Sequence, residues 1–401
     1  MQKIKIASMI VFYLLFFGKE PKLSAKEIKF HSEKKVIEKS FDEEIPFDLI
    51  EGQIILKVRI NAINYNFLFD TGAVTIVDNE IGSLFRSRIK TKNIYDTNRV
   101  VKTSSIIKLD EISINNLSFE NITAVVLDLS YINKNGCIEI SGVIGADLMK
   151  NKVCQLNYQK KVLICSSKIT NFKSETLDVS PIKFSIKNNG TPKLPIFFNA
   201  VKIENIILDT GFLGGVSLRQ IDAEKIKYDS AVKSHGLIHG AFGSAEDTSY
   251  TFKCNNIKSK DGFIADTMIV SYRLKNETPK IGYSFLRDYI TTIDWNNKQI
   301  YLKKISKTNN TLLSFGFTIY YNDGKLLVNR IYENSSAFSK GIKLYDQILK
   351  INNVDYISAT QENYCDILKN KILEQDQIEI LLRNHTGDYI YVLQRENILN
   401  K

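Results

Sequence analysis

The stretch FLFDTGAVTIV, residues 67–77, closes an apolar run with an acidic residue and follows it with Thr and Gly. Burying a carboxylate is costly unless the charge is paired, hydrogen-bonded or put to use. A strand that ends this way therefore constrains everything packed around it. The same feature returns as IILDTGFLGGVSL at residues 206–218. A single Asp-Thr-Gly is also good turn chemistry, but two copies that each close an apolar strand ask for one common explanation.

The surroundings repeat as well. One unit opens with GQIILKVRINAINYNFLFDTGAVTIVD and closes with GVIGADLMKNKVCQLNYQKKVLIC; the other opens with TPKLPIFFNAVKIENIILDTGFLGGVSLR and closes with PKIGYSFLRDYITTIDWNNKQIYL. Asp70 precedes Gly145 by 75 positions (145 − 70) and Asp209 precedes Gly282 by 73 (282 − 209). Two signatures kept at nearly equal separation imply a duplicated domain. Runs such as IILKVRI, ITAVVLDL, TMIVSY and QIYLKK are short, β-branched or aromatic, and separated by Asn, Gly and Lys turns, which predicts strands. Helical stretches are few, the best being GADLMKN and GYSFLRD, which begin at the two glycines.

After a Lys-, Asn- and Thr-rich linker the pattern changes at Ser314. It predicts a strand, a hairpin at Asn322-Asp323-Gly324, a strand, a short helix, a strand, a longer helix over TQENYCDILKNKI and a last hairpin at His385 to Asp388. A length of 401 residues fits two to four domains at roughly 100 to 200 residues each. Hydrophobic residues at 44% and charged residues at 24%, with no biased tract, indicate folding throughout.

The net charge of +10 is spread along the chain, and a net +3 of it lies within residues 1–25 (Lys3, Lys5, Lys19 and Lys22 against Glu20). No basic stripe argues for nucleic acid. Residues 1–25 combine a basic start, an apolar run from Ile6 to Phe17 and a small-residue site at Ser24-Ala25, the pattern of a secretory signal. The run is shorter than the ~18 to 20 residues of a spanning helix, so membrane association is expected only if the segment stays uncleaved. Export to a periplasmic or extracellular compartment would make disulfides possible. Cys154 and Cys165 face each other if Gln159-Lys160 centre a hairpin turn; a disulfide and two buried thiols both fit that placement. Cys137, Cys254 and Cys365 show no evident partners.

FDTGA and LDTGF, with Val143-Ile144-Gly145 and Lys280-Ile281-Gly282, resemble the retropepsin-like and pepsin-like aspartic proteases over residues 48 to 305. The resemblance implies a mainly β, bilobal acid-protease fold: two pseudo-symmetric β-barrel lobes, 26–172 and 173–306. It also implies a monomeric, exported, bacterial-type endopeptidase acting on peptide or protein substrates without cofactor or metal. Asp70 and Asp209 would be catalytic, sharing one proton because two adjacent carboxylates do not both ionise readily. Thr71 and Thr210 would tie the two loops together, and Gly72 and Gly211 would let backbone N–H groups reach the carboxylates. Residues 234–250, with Gly240, Phe242 and Gly243, are the expected flap, and the first-lobe counterpart lies near residues 93–106. Phe212 departs from the family, which has a small residue there; it would either narrow the cleft or disable it, leaving a catalytically inactive peptide-binding scaffold as the alternative. His235 and His239 stand four apart, but the glycines among them argue against a helical zinc site.

The C-terminal region, 307–401, resembles a PDZ domain, an α+β module, through SFGF, AFSKGIKLYDQILKINNVDY and QENYCDILKN. The resemblance implies that a peptide C-terminus adds beside Phe317 to Tyr321, its carboxylate held by N–H groups around Phe315, Gly316 and Phe317. Tyr345-Asp346 and Asn352-Asn353 depart from the family's usual Gly-Asp and Asn-Gly.

Overall fold

The computed structural model describes residues 12–13, 41–85, 88–275, 278–307 and 311–400. The expected signal segment lies outside them apart from Phe12 and Tyr13. The described chain is mainly β. Residues 48–145 form one eight-stranded sheet from β1 (Asp48–Ile50), β2 (Gln53–Ile60), β3 (Ile63–Asp70), β4 (Ile76–Val77), β5 (Arg88–Tyr95), β6 (Val101–Ile114), β7 (Leu117–Val126) and β8 (Gly142–Gly145). The strand order across it is β1-β2-β3-β8-β4-β7-β6-β5.

A second set follows: β9 (Ser185–Ile186), β10 (Pro192–Phe198), β11 (Val201–Leu208), β12 (Val216–Arg219), β13 (Ala231–Gly240), β14 (Gly243–Lys258), β15 (Phe263–Arg273) and β16 (Lys280–Ile281). Its order, β9-β10-β11-β16-β12-β15-β14-β13, retraces the first strand for strand. Each sheet also curls onto itself, β2 pairing β6 and β10 pairing β14, which lets alternate inward side chains close a core. Buried Ile, Leu, Val and Phe from both sets merge into one cluster that includes Phe69, Ile144, Leu208 and Ile281.

The hairpins expected after each glycine element join instead in a six-stranded sheet. Val153–Asn157 and Tyr289–Asp294 pair antiparallel at its centre, flanked by Val162–Ser166, Asp42–Pro46, Gln299–Lys304 and Ile182–Lys183. This sheet ties the two units together below the Asp-Thr-Gly turns. Of the two expected helical stretches, 283–286 forms one turn of helix, whereas 146–150 forms only turns.

The C-terminal region carries the expected ladder: β17 (Phe317–Asn322), β18 (Lys325–Tyr332), a helical turn at Ser336–Ser339, β19 (Gln347–Ile351), a helix at Gln361–Lys369, β20 (Gln377–Asn384) and β21 (Gly387–Gln394). The Gln361–Lys369 helix starts with a capping box, Thr360 accepting from Asn363 N and the Asn363 side chain accepting from Thr360 N. The region does not stand apart. Strand β13 continues its sheet by pairing with β18.

Candidate active site

The two aspartates end strands held in the same way. Strand β3 runs parallel to β8 with Asp70 beside Gly145, and β11 runs parallel to β16 with Leu208 beside Ile281. Asp209 N donates to Ile281 O at 2.9 Å. Both acids arrive nearly dry, Asp70 1% and Asp209 4% exposed, and their carboxyls hydrogen-bond each other.

Crossed hydroxyls lock this approach. Thr71 N donates to Thr210 Oγ1 at 3.0 Å while Thr71 Oγ1 donates to Leu208 O at 2.6 Å. In return Thr210 N donates to Thr71 Oγ1 at 3.1 Å and Thr210 Oγ1 donates to Phe69 O at 2.9 Å. Each carboxylate also accepts a local N–H, Gly72 N to Asp70 Oδ1 at 2.7 Å and Gly211 N to Asp209 Oδ1 at 3.1 Å. The glycines are required by contact. A Cβ on Gly72 would lie 2.7 Å from Asp209 Cγ, and one on Gly211 would lie 2.5 Å from Asp70 Oδ2.

The pair is asymmetric. Burial, then the Asp209 charge, then the hydrogen bond to Asp209 hold Asp70 well above the ordinary carboxylate range. Burial also raises Asp209, but Lys280, the hydrogen bond from Asp70 and the N–H of Gly211 oppose it. The two carboxyls therefore hold a proton between them above the ordinary carboxylate range. Lys280 is fully buried in β16, and its backbone pairs with Ile207 on the strand that leads into Asp209. Lys187 is the second cation near Asp209; burial, assisted by Lys193, brings it down to about 8.

Neither lysine was singled out by the sequence reading. Lys280 sits where the first unit's glycine element has the apolar Val143, a departure that could have marked it. Asp147 was missed too: it accepts from Thr75 N and Oγ1 at 2.8 and 3.0 Å, and burial raises it to about 7. It braces the first turn.

Phe212 lies 3% exposed against Gly214 and Gly282, with Lys280 Nζ 5.3 Å from the ring centre. The ring does not separate the acids, which remain bonded to each other. Above it packs Ile238, from the hairpin that β13 and β14 form with Gly240 opposite Gly243. Residues 234–250 thus form the hairpin in which the flap was expected. Its tip docks on the first unit's β5–β6 turn: Phe242 N donates to Asp96 Oδ2 at 3.2 Å and Asn98 Nδ2 donates to Ile238 O at 2.9 Å.

His235 and His239 do not form a metal site. The former faces Glu246, Nε2 to Oε2 3.2 Å, and the latter is buried between Tyr131 OH and Asn329 Oδ1, each 2.9 Å away. Among the described residues no group of three or more His, Cys, Asp or Glu could hold a metal ion.

Of the two arrangements open to Cys154 and Cys165 the structure has the buried thiols, whereas Cys137 and Cys365, which show no evident partners in the sequence, are paired. Cys154 and Cys165 do face each other in register, but their sulfurs are 2.7 Å apart and unbonded. The disulfide joins Cys137 to Cys365, 228 positions away. It links the loop after helix α1 (Ser130–Asn135) to helix α2 (Gln361–Lys369). Gln361 Nε2 donates to Asn133 O of α1 at 2.7 Å and to Gly136 O of that loop. Helix α1 itself lies against β17. The groove expected to take an external tail, between β17 and α2, is thus bridged by the chain's own residues 130–137. Phe315 and Phe317 are buried in the shared core with Leu129, Ile132 and Ile140, and Gly316 O accepts from Tyr332 N at 2.9 Å.

No curated protein matches the chain. Among solved structures, basic 7S globulin from soybean is 10% identical and aligns with 67% of this chain and 98% of its own, at a TM-score of 0.41. A retropepsin-like aspartic protease from Rickettsia conorii is 19% identical over 32% of this chain and 92% of its own, at a TM-score of 0.22. A sequence profile described as aspartyl protease matches residues 56–148, which take in β3, the first Asp-Thr-Gly turn and β8.

Proposed function

We propose that the chain is an exported aspartic endopeptidase that hydrolyses peptide bonds with Asp70 and Asp209 on one polypeptide. The observation that carries this reading is the pair of buried carboxyls bonded to each other at the ends of two equivalently paired strands. The matching strand order of the two sheets supports descent from a duplicated lobe.

In the reaction, ionised Asp209 takes a proton from water as its oxygen attacks the carbonyl carbon, and Asp70 donates a proton to the carbonyl oxygen. Collapse of the tetrahedral diol breaks the C–N bond: one hydroxyl returns a proton to Asp70 as the carboxyl product forms, and the amine leaves with the proton that Asp209 had accepted. Lys280 favours the charge on Asp209 before water is deprotonated. Thr71 and Thr210 hold the spacing, so the acids need no reorganisation during the step. The lysine, threonines and glycines are positioning residues.

The PDZ resemblance of residues 307–401 is supported by their strand and helix order. Export is supported by the composition of residues 1–25. The test is digestion of a mixed peptide library over about pH 4 to 7, the range in which a shared-proton dyad works. Turnover is expected from the wild type and its loss from Asp70→Asn and Asp209→Asn; equal turnover in all three overturns the reading.

A second reading, a peptide-binding scaffold without turnover, is favoured by one observation: Phe212, three residues from Asp209, lies buried against Ile238. Peptide binding that survives both Asn substitutions, with no cleavage in the wild type, would select it.

A further inference from the structure

We propose that the C-terminal domain is an intramolecular clamp on the flap, latched by the Cys137–Cys365 disulfide, and that reducing the latch frees the flap to lift. Regulation of the proposed catalytic site rests on the peptidase reading; the clamp itself does not.

The flap is held along its length rather than at one point. Ser234, His235 and Gly236 of β13 pair with Tyr332, Ile331 and Arg330 of β18. Glu333 N donates to Lys233 O at 2.8 Å and the Lys233 ammonium pairs with Glu333 at 2.7 Å. Arg330 donates to Ser234 Oγ at 3.0 Å and Ser249 Oγ at 3.2 Å, one on each flap strand. Near the tip His239 Nε2 meets Asn329 Oδ1, and Tyr345 OH donates to Glu246. Gly236 makes the close approach possible, since a Cβ there would lie 2.5 Å from Asn329 O. A hairpin fixed by a strand partner on one edge cannot lift unless that partner moves with it.

Residues 130–137 tie the partner to the first unit, beside the contacts of Leu312, Ile398 and Leu399 with Val232 of β13. That segment engages β17 and α2 on one side and belongs to the first unit on the other, and the disulfide fastens it to α2. Cross-linking positions so far apart in sequence keeps the domain docked by limiting the separated states open to it. An external dithiol would supply the two electrons and two protons that convert the disulfide to two thiols, itself becoming a cyclic disulfide. The remaining bonds would then hold the domain alone, and local opening of the flap becomes more frequent.

The experiment is hydrogen–deuterium exchange on the full chain, oxidised and after dithiothreitol, with Cys137→Ser/Cys365→Ser as the reductant-insensitive reference. Exchange in residues 231–243 is expected to rise at least about tenfold on reduction, the double variant matching the reduced wild type with or without dithiothreitol. Gly236→Val, checked for folding by its circular dichroism, should raise flap exchange even when oxidised. Library cleavage measured in parallel should rise with flap exchange. Flap protection that is unchanged by reduction and by Gly236→Val overturns the clamp. Flap release without cleavage in any state keeps the clamp and removes the peptidase reading instead.

Discussion

Replacing Thr210 by Val tests whether the crossed hydroxyls hold the two units together. The two side chains have nearly the same shape, so the change removes a hydroxyl without opening a cavity. Two buried groups lose their partner, the N–H of Thr71 and the carbonyl of Phe69. Leaving a buried donor or acceptor unsatisfied costs about 1–3 kcal/mol. The carbonyl has a second lone pair and belongs at the low end, so the pair of losses should cost about 2–4 kcal/mol. Thr71→Val should cost a similar amount, because it deprives Thr210 N and Leu208 O in the same way. The double variant should fall short of the sum by at least about 0.5 kcal/mol, since relaxation after the first loss weakens what the second removes. Thr210→Ser keeps the hydroxyl and should recover most of the loss. The assay is urea unfolding followed by fluorescence of Trp295, the single tryptophan, which is buried next to the inter-unit sheet and donates to Gly190 O at 2.9 Å. A Thr210→Val loss below about 0.5 kcal/mol, the size of an ordinary surface change, would refute the grip.

Gly211→Ala and Gly72→Ala should each force the carboxyls apart, because the new methyl meets the opposite acid; kcat should fall at least about tenfold with secondary structure retained, a misplacement effect. Asp70→Asn should stabilise the fold at neutral pH while removing hydrolysis. Burial raises both acids above their unfolded values, so the pair lowers stability progressively as pH rises from the unfolded carboxylate range through the raised folded values; the variant's thermal midpoint should exceed the wild type's near pH 7 and converge with it in acid. Lys280→Met removes the cation that opposes the rise of both acids, and the acid limb of the rate profile should move to higher pH; an unmoved limb would show that Lys280 does not act on the dyad.

The strands, the flap hairpin, the C-terminal ladder and the meeting of Asp70 with Asp209 were legible in the chain because each is written locally or twice. Alternation of apolar and polar residues sets a strand, a two-residue turn sets a hairpin, and a repeated signature announces equivalent halves. Residues 146–150 form turns rather than a helix although their counterparts at 283–286 complete one, and both sets hold buried apolar residues. Contacts between distant segments carry no such local mark. That Cys137 bonds Cys365, that Lys280 faces the acids, that Phe212 lies beside them rather than between them, and that β13 completes the C-terminal sheet were decided only when the three parts packed together. Pairing across hundreds of residues is selected by shape and by the satisfaction of buried backbone groups in the assembled core, and neither property belongs to any single stretch of sequence.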